Sequence, residues 1–116
     1  MRIQQVSEKT GLSLHTLRYY EKQGLIYPIP RNDAGHRYYR EHDVHWLNFI
    51  QCLKVTGMPL KDIQAYAQRV KNEDKQPAFL LTILSEHKMR LERKRAEIDE
   101  CLQHVNWKID HYSDLL

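Results

Sequence analysis

The sequence has 116 residues and a mass of 14.0 kDa, which is room for one ordinary domain or for a small domain with one projecting element, and this excludes most large enzyme folds. A hydrophobic fraction of 41% can build one compact core. The sequence has no run of roughly 20 apolar residues and no apolar signal region, so we expect a cytoplasmic protein without membrane segments. Residues 1–70 carry ten Lys and Arg against six Asp and Glu, whereas residues 71–116 carry eight against nine, so only the first part is suited to bind a polyanion.

Two short helices joined by a turn are predicted at the start of the chain. Gly11 lies in the turn 10–13, where glycine tolerates the left-handed backbone that ends a helix. Ser13 suits the N-cap of the second helix because its hydroxyl can accept a hydrogen bond from a free backbone amide. The inward-facing positions are Ile3, Val6, Leu14 and Leu17, with Tyr20 as a further candidate. This pattern predicts a helix-turn-helix.

A β-hairpin is predicted next. The polar segment 31–36 contains Asn32, Asp33 and Gly35, which favour tight turns, and β-branched and aromatic residues flank it at 25–27 and 37–39. We expect these flanks to pair as short strands. The hairpin would then form a wing beside the helix-turn-helix.

Two further helices are predicted, at about 41–56 and at about 60–72. Pro59 suits the first turn of the later one, since a helix does not need the missing N–H there. Apolar residues recur at three- and four-residue steps at Val44, Leu47, Ile50, Leu60, Ile63, Ala67 and Val70, with Phe49 or Leu53 as an additional inward position. These helices are expected to complete a small core shared with the helix-turn-helix.

One long helix is predicted at the C-terminus, after a charged linker at 73–77. Residues 78–112 contain neither glycine nor proline, and a helix of this length spans about 50 Å. Apolar residues form a stripe along it at Leu84, Leu91, Ile98, Leu102, Val105, Ile109 and Tyr112. The stripe is typical of a helix that packs lengthwise against another helix.

A second chain is expected to cover this stripe, because a single long helix cannot bury it. A homodimer through residues 78–112 is the simplest symmetric arrangement; the alternative is that the helix folds back on the N-terminal domain. The predicted fold is mostly α-helical, with a winged helix-turn-helix domain at 1–72, the linker at 73–77 and a dimerisation helix at 78–116 that forms a coiled coil.

The second helix carries the first group of candidate DNA-contacting residues. His15, Thr16, Arg18 and Tyr19 lie beside the turn, where a recognition helix presents polar side chains to the major groove. A solvated amphipathic face would show the same pattern. The pattern on this helix alone therefore leaves DNA binding and a plain surface helix both open.

The wing carries the second group of candidates. Arg31 and Arg37 bracket its polar tip and offer planar donors for phosphate oxygens, and Tyr38 adds a hydroxyl group. Lys61 adds its charge near the start of the fourth helix, whose N-terminus also favours phosphate. These residues favour a DNA-binding regulator, whose partner is promoter DNA.

Two other classes of protein are alternatives to a regulator. A coiled-coil adaptor with a basic head domain would show the same long helix but no preference among DNA sequences. An enzyme is not expected, because the sequence has no phosphate loop, no nucleophile elbow and no paired carboxylates with an identifiable role. We expect no cofactor.

Several motifs resemble the mercury-resistance regulator (MerR) family of bacterial transcription factors. The resemblance rests on TLRYYE at 16–21, GLI at 24–26, GHRYY at 35–39 and GMPLKDI at 57–63. It covers residues 1 to about 70 closely, and the long C-terminal helix agrees in kind. It implies a winged helix-turn-helix homodimer, paired through antiparallel C-terminal helices, in the bacterial cytoplasm at the nucleoid.

The resemblance also implies how such a dimer acts on DNA. In that family the dimer binds a two-fold symmetric promoter operator, then bends and untwists it so that RNA polymerase engages both promoter elements. By analogy Arg18, Tyr19, Arg37 and Tyr38 contact DNA, and Lys61 supports them. Arg40 departs from the family pattern, in which a Ser or Thr caps the third helix, so that helix begins without the usual side-chain cap.

Cys52 is the candidate sensing residue. The segment 49–54 resembles the third helix of a family branch that responds to aldehydes and other thiol-reactive electrophiles through one cysteine, and Lys54 nearby favours the reactive thiolate. The alternative is that Cys52 is a small core residue, as free cysteines usually are. Cys101 lies beside the apolar stripe, where packing is expected; with His104 it offers two metal ligands, which is too few to predict a zinc site.

Overall fold

The computed structural model describes residues 1–26, 28–72 and 77–116. Within these ranges it contains five α-helices and no β-strand. The helices are α1 (Ile3–Thr10), α2 (Leu14–Lys22), α3 (Glu41–Val55), α4 (Leu60–Lys71) and α5 (Pro77–Ser113). The predicted mostly α-helical fold, a helix-turn-helix followed by two helices and a long C-terminal helix, is confirmed.

The turn between α1 and α2 is closed at both helix ends. Gly11 has a φ of 72°, and its N–H donates to the carbonyl of Ser7 at 2.9 Å, which ends α1. The hydroxyl of Ser13 accepts a hydrogen bond from the N–H of Thr16 at 3.0 Å, which caps α2. Both signals read from the sequence act as expected, and they determine where α2 begins.

The predicted β-hairpin is wrong in its strands. Residues 28–39, called here the wing loop, contain one antiparallel bridge between Arg31 and Arg37, and the described part of the loop has no strand. Pro28 and Pro30 explain the difference, because proline has no N–H to donate to a β-ladder. The wing is therefore a loop pinned at one pair of residues.

The tip of the wing loop is organised by one side chain. The amide oxygen of Asn32 accepts hydrogen bonds from the backbone N–H groups of Ala34 and His36, each at 3.1 Å. Such Asx turns let a short polar side chain replace strand pairing. In the predicted first strand, 25–27, the first two residues are buried in a bend after α2, and Tyr27 lies outside the described residues.

One apolar core is shared by α1, α2, the wing loop, α3 and α4. α1 packs on α2 and α3, and α3 packs on α4. The buried apolar side chains are Val6, Leu12, Leu17, Tyr20, Leu25, Ile26, Ile29, Tyr39, Val44, Leu47, Ile50, Leu53, Met58, Ile63, Tyr66 and Ala67. Of the two alternatives on α3, Leu53 lies in the core and Phe49 is partly exposed. The inward placement predicted for Leu60 is wrong, since it is 39% exposed.

An aromatic cluster connects α3 to its neighbours. Trp46 donates its Nε1–H to the carbonyl of Leu25 at 2.8 Å, and its ring stacks on that of Tyr66, with centroids 5.8 Å apart. Phe49 packs against both rings. Burial raises the pKa of Tyr66 above its ordinary value. The cluster ties α3 and α4 to the bend that follows α2.

The start of α3 shows how Arg40 replaces the usual cap. A guanidinium group cannot accept a hydrogen bond, so the acceptor comes from Asp43 in the first turn. Its carboxylate accepts from the backbone N–H of Arg40 at 2.9 Å and from the Nε–H of the same residue at 3.1 Å. Asp43 is fully buried, and α3 begins at Glu41, as the sequence predicted.

The described chain divides into two compact units, Met1–Leu80 and Leu81–Leu116. The first turn of α5 belongs to the first unit, where the ring of Phe79 lies 4.0 Å from the guanidinium of Arg69. Of the predicted linker 73–77, residues 73–76 lie outside the described residues, and Pro77 is instead the first residue of α5. Proline suits this position because the first turn needs no N–H.

α5 is a single helix of 37 residues, about 55 Å long at 1.5 Å per residue. Its apolar stripe is open in the single chain: five of its members are more than half exposed, namely Ile98, Leu102, Val105, Ile109 and Tyr112. Exposed apolar surface of this extent marks an interaction site. In the described part of the chain, none of the helices combines the length and apolar character that crossing a membrane demands.

Candidate nucleic-acid interface

α2 presents most of its predicted recognition residues to solvent. His15 and Arg18 are exposed, and Tyr19 is 38% exposed. Thr16 is half-buried, and its hydroxyl accepts a hydrogen bond from Ser13 at 2.9 Å. The opposite face of α2 is anchored in the core, so the exposed side chains project from a fixed helix.

A lysine from α3 extends this surface. The Nζ of Lys54 lies 5.8 Å from the ring centroid of Tyr19 and 5.2 Å from that of Tyr20, within the range of a cation–π contact. The contact places a positive charge beside the exposed face of α2. Sequence spacing gave no sign of it, because Lys54 lies more than thirty positions from the two tyrosines.

Arg37 has a protein partner that the sequence did not reveal. Its Nε–H donates to Oε2 of Glu21 on α2 at 2.8 Å, and the two side chains are 28% and 21% exposed. Such a charge-assisted hydrogen bond, partly shielded from water, is stronger than an open surface pair. Arg37 therefore fastens the wing loop to α2, while its terminal amino groups have no partner among the described residues.

The other wing-loop candidates remain open to solvent. Arg31 is exposed and donates from Nη1 to the carbonyl of Gly35 at 2.8 Å, which steadies the tip. Tyr38 is 53% exposed. Its neighbour Tyr39 is buried and exchanges backbone hydrogen bonds with Met1, with Tyr39 N–H donating to the Met1 carbonyl and Met1 N donating to the Tyr39 carbonyl. The start of the chain is thereby held against the base of the wing loop.

The electrostatics around Tyr39 show which charges meet at this point. Burial is the largest influence and raises the pKa of the Tyr39 hydroxyl, and the carboxylate of Glu21 raises it further. Arg37 and Arg18 act in the opposite direction and lower it. The guanidinium groups of α2 and the wing loop thus act on the same buried hydroxyl.

A basic cleft lies where the start of α1, α2 and the wing loop meet. Its volume is about 180 Å³, and it is lined by Arg2, Ile3, Gln4, Arg18, Arg31, Gly35, His36 and Arg37. Four of these residues are arginines and none is acidic. Three of the arginines were predicted to contact DNA; Arg2 was missed. A signal for it was present in the sequence, since a basic residue at a helix start is electrostatically unfavourable.

Lys61 does not line this cleft. It is exposed in the first turn of α4, beside Asp62, and Pro59 at the N-cap offers no side-chain acceptor to the helix amides. Its charge and the helix N-terminus remain a separate positive feature of the same compact unit.

Both cysteines are free and exposed. The alternative that Cys52 is a buried core residue is therefore wrong for the single chain. Lys54 is the residue expected to favour the thiolate of Cys52, and its ammonium lies over the rings of Tyr19 and Tyr20. Among the described residues, no three His, Cys, Asp or Glu side chains come together as metal ligands would.

Comparison with known proteins assigns the family. The family described as "MerR HTH family regulatory protein" matches the sequence over residues 1–70, and the family described as "MerR, DNA binding" matches it over residues 44–107. The chain belongs to the MerR family. It is a DNA-binding transcription regulator and not an enzyme, which confirms both predictions.

Three relatives illustrate the similarity. The uncharacterized HTH-type transcriptional regulator YyaN of Bacillus subtilis is 35% identical, with 98% of this chain and 91% of its own length covered. The HTH-type transcriptional regulator AdhR of Bacillus subtilis is 38% identical over 78% of this chain and 65% of its own. HiNmlR, a MerR family regulator lacking the sensor domain and bound to promoter DNA, has a crystal structure that matches with a TM-score of 0.85 at 33% identity, covering 94% and 86%.

Proposed function

We propose that this MerR-family regulator binds a two-fold symmetric promoter operator as a homodimer and distorts the DNA to control transcription. The observation that carries the proposal is the set of exposed basic and aromatic side chains that α2 and the wing loop bring to one side of the N-terminal unit. The promoter DNA bound by the related HiNmlR supports the same kind of partner. The place of action is the bacterial cytoplasm, at the nucleoid.

The α2 residues divide into base-reading and backbone-contacting groups. His15 and Thr16 lie at the start of the helix, where a recognition helix reaches base edges; Thr16 does so with a hydroxyl already bonded to Ser13. Arg18 and Tyr19 contact the backbone nearby. A change at His15 is expected to alter which sequence is preferred, whereas loss of a phosphate contact weakens binding to every sequence.

The remaining contacts position the protein on the duplex. Arg31, Arg37 and Tyr38 of the wing loop meet phosphate oxygens, and Lys61 adds a contact from the start of α4. Arg37 does this with its terminal amino groups, because its Nε–H is held by Glu21. One side chain thus both fastens the wing loop and contacts DNA.

Dimerisation through the α5 stripe, residues 78–112, links the two DNA-binding units. Two antiparallel helices of this length keep the units at a set separation. Bending a site of 20 to 30 base pairs costs on the order of 1 to 6 kcal/mol, which several phosphate contacts offset. The distortion then lets RNA polymerase engage both promoter elements.

Sedimentation equilibrium and footprinting test this function together. The expected result is a dimer at micromolar concentration that protects two symmetric half-sites upstream of its own gene, with affinity that falls steeply as salt rises. A protein that sediments as a monomer, or protects one half-site only, would contradict the proposal. Equal affinity for unrelated duplexes would instead favour the alternative, a coiled-coil adaptor with a basic head.

Response to aldehydes or other electrophiles through Cys52 is the second part of the proposal. Two observations support it: segment 49–54 resembles the third helix of the electrophile-responsive branch, and Cys52 is an exposed residue, as a reactive cysteine is expected to be. The inducer reacts with the thiolate and changes the surface of α3.

A reporter assay with matched cysteine variants tests the sensing role. Cys52→Ala is expected to abolish the response to formaldehyde while DNA affinity is kept, and Cys101→Ala, the other exposed thiol, is expected to respond normally. Induction by formaldehyde that survives Cys52→Ala would exclude Cys52 as the sensor.

A further inference from the structure

The basic cleft contains an arginine with no evident structural role. Arg2 and Arg18 form no ion pair with another described residue, whereas Arg37 is held by Glu21 and Arg31 by the carbonyl of Gly35. Four guanidinium groups converge on about 180 Å³, and the carboxylate of Glu21 pairs with only one of them. The remaining positive charges repel one another when the cleft is empty, and an anion removes that repulsion.

The position of Arg2 is unfavourable for the helix that it begins. It is the N-cap of α1, makes no side-chain cap hydrogen bond, and the first turn of α1 contains no acidic residue. Ser, Thr, Asp or Asn would satisfy the free amides there, and a positive charge opposes the helix dipole. A residue that weakens its own helix is expected where function requires it.

The site is held in place by the neighbouring backbone. The hydrogen bonds between Met1 and Tyr39 fix the residue before Arg2 to the base of the wing loop. Ile3 and Gln4, the first residues of α1, also line the cleft. Arg2 and the positive N-terminal end of α1 therefore lie in the same cleft as Arg18 from α2.

The cleft has room for a small anion. About 180 Å³ equals the share of roughly six water molecules at about 30 Å³ each, which is room for a tetrahedral phosphate with some of its water. The planar donors of arginine match the oxygens of such a group.

We propose that this cleft binds one backbone phosphate of the operator and that Arg2 contacts it directly. The inference rests on the proposed DNA-binding function and adds a contact from α1 to those of α2 and the wing loop. Binding the phosphate also supplies the negative charge that the start of α1 lacks, so the α1 end is stabilised in the complex.

Arg2→Ser separates the contact from any effect on folding. Serine removes the charge but is a preferred N-cap, so the melting temperature is expected to stay the same or rise. The dimer carries two such contacts, one in each half-site, so affinity for a 30-base-pair duplex is expected to fall about a hundredfold, about tenfold for each contact. The slope of log affinity against log salt is expected to flatten by about 1.8, about 0.9 for each lost phosphate contact. The control is Lys9→Gln, which removes an exposed charge at the other end of α1 and is expected to leave the slope unchanged.

Duplexes that carry a single neutral methylphosphonate locate the phosphate. For the wild-type dimer, one position in each half-site is expected to weaken binding in a way that Arg2→Ser no longer shows. An unchanged salt slope in Arg2→Ser, or an equal loss in Lys9→Gln, would overturn the inference while the regulator still binds DNA. If the wild-type protein binds no duplex, the proposed function itself fails.

Discussion

Arg37 is expected to have two roles: its hydrogen bond with Glu21 attaches the wing loop to α2, and its terminal amino groups contact DNA. The two roles can be separated experimentally. The bond is 2.8 Å long and both side chains are less than a third exposed. A hydrogen bond to a charged group contributes about 1.5–3 kcal/mol, and partial exposure lowers this, so we expect Arg37→Ala to reduce the free energy of unfolding by about 1–2 kcal/mol. For a chain of this size that corresponds to a fall of roughly 4 to 8 °C in melting temperature.

A double-mutant cycle isolates the two contributions. Arg37→Ala, Glu21→Gln and the double variant are unfolded at one protein concentration, because the stability of a dimer depends on concentration. The coupling energy is expected to be about 1 kcal/mol. The loss of DNA affinity caused by Arg37→Ala is expected to persist in the Glu21→Gln background, since the terminal amino groups act on phosphate independently.

Two results would refute this reasoning. A coupling energy within the usual scatter of about 0.3–0.5 kcal/mol would mean that the pair contributes nothing to the attachment of the wing loop. DNA affinity that is unchanged in Arg37→Ala would mean that the residue is structural only.

Three further predictions concern stability. Asp43→Asn is expected to cost about 1–3 kcal/mol in urea unfolding, because a fully buried carboxylate that accepts from Arg40 loses its charge. Trp46→Phe is expected to cost about 1–2 kcal/mol, because the Leu25 carbonyl loses its donor; circular dichroism melting measures it. Burial first, then Arg90 and Lys94, lower the pKa of His87 from 6.5, so the unfolded chain takes up the proton more readily and stability decreases as pH falls below about 6.5. The melting temperature of His87→Gln should therefore fall less than that of the wild type between about pH 7 and pH 5.

The helices were predictable because their signals are local. Ser13 and Gly11 mark the turn between α1 and α2 through bonds that span three or four residues, and the apolar spacing identifies the buried face of α3 and α4. The prediction of strands in the wing was wrong for a reason that the local sequence also contained. Pro28 and Pro30 have no N–H to donate to a β-ladder, and Asn32 closes the tip with its own side chain.

The candidate site was predictable in its residue types but not in its contacts. Arg18, Arg31 and Arg37 were identified from their residue types and positions in the sequence, yet the partner of Arg37 is Glu21, sixteen positions away on α2. Lys54 reaches Tyr19 and Tyr20 only because α3 packs beside α2 in the fold. Arg2 joins the cleft because backbone bonds hold the start of the chain to Tyr39.

The sequence by itself determined the order of the helices, the charge difference between the two parts of the chain, the apolar stripe of α5 and the motifs that indicate the MerR family. Each depends on residue type and on spacings of a few positions, which local backbone geometry controls. Only the tertiary structure decided that Arg37 is held by Glu21, that Cys52 is exposed and that four arginines meet in one cleft. These features depend on how distant segments pack, and that packing is set by the whole core rather than by any single stretch of chain.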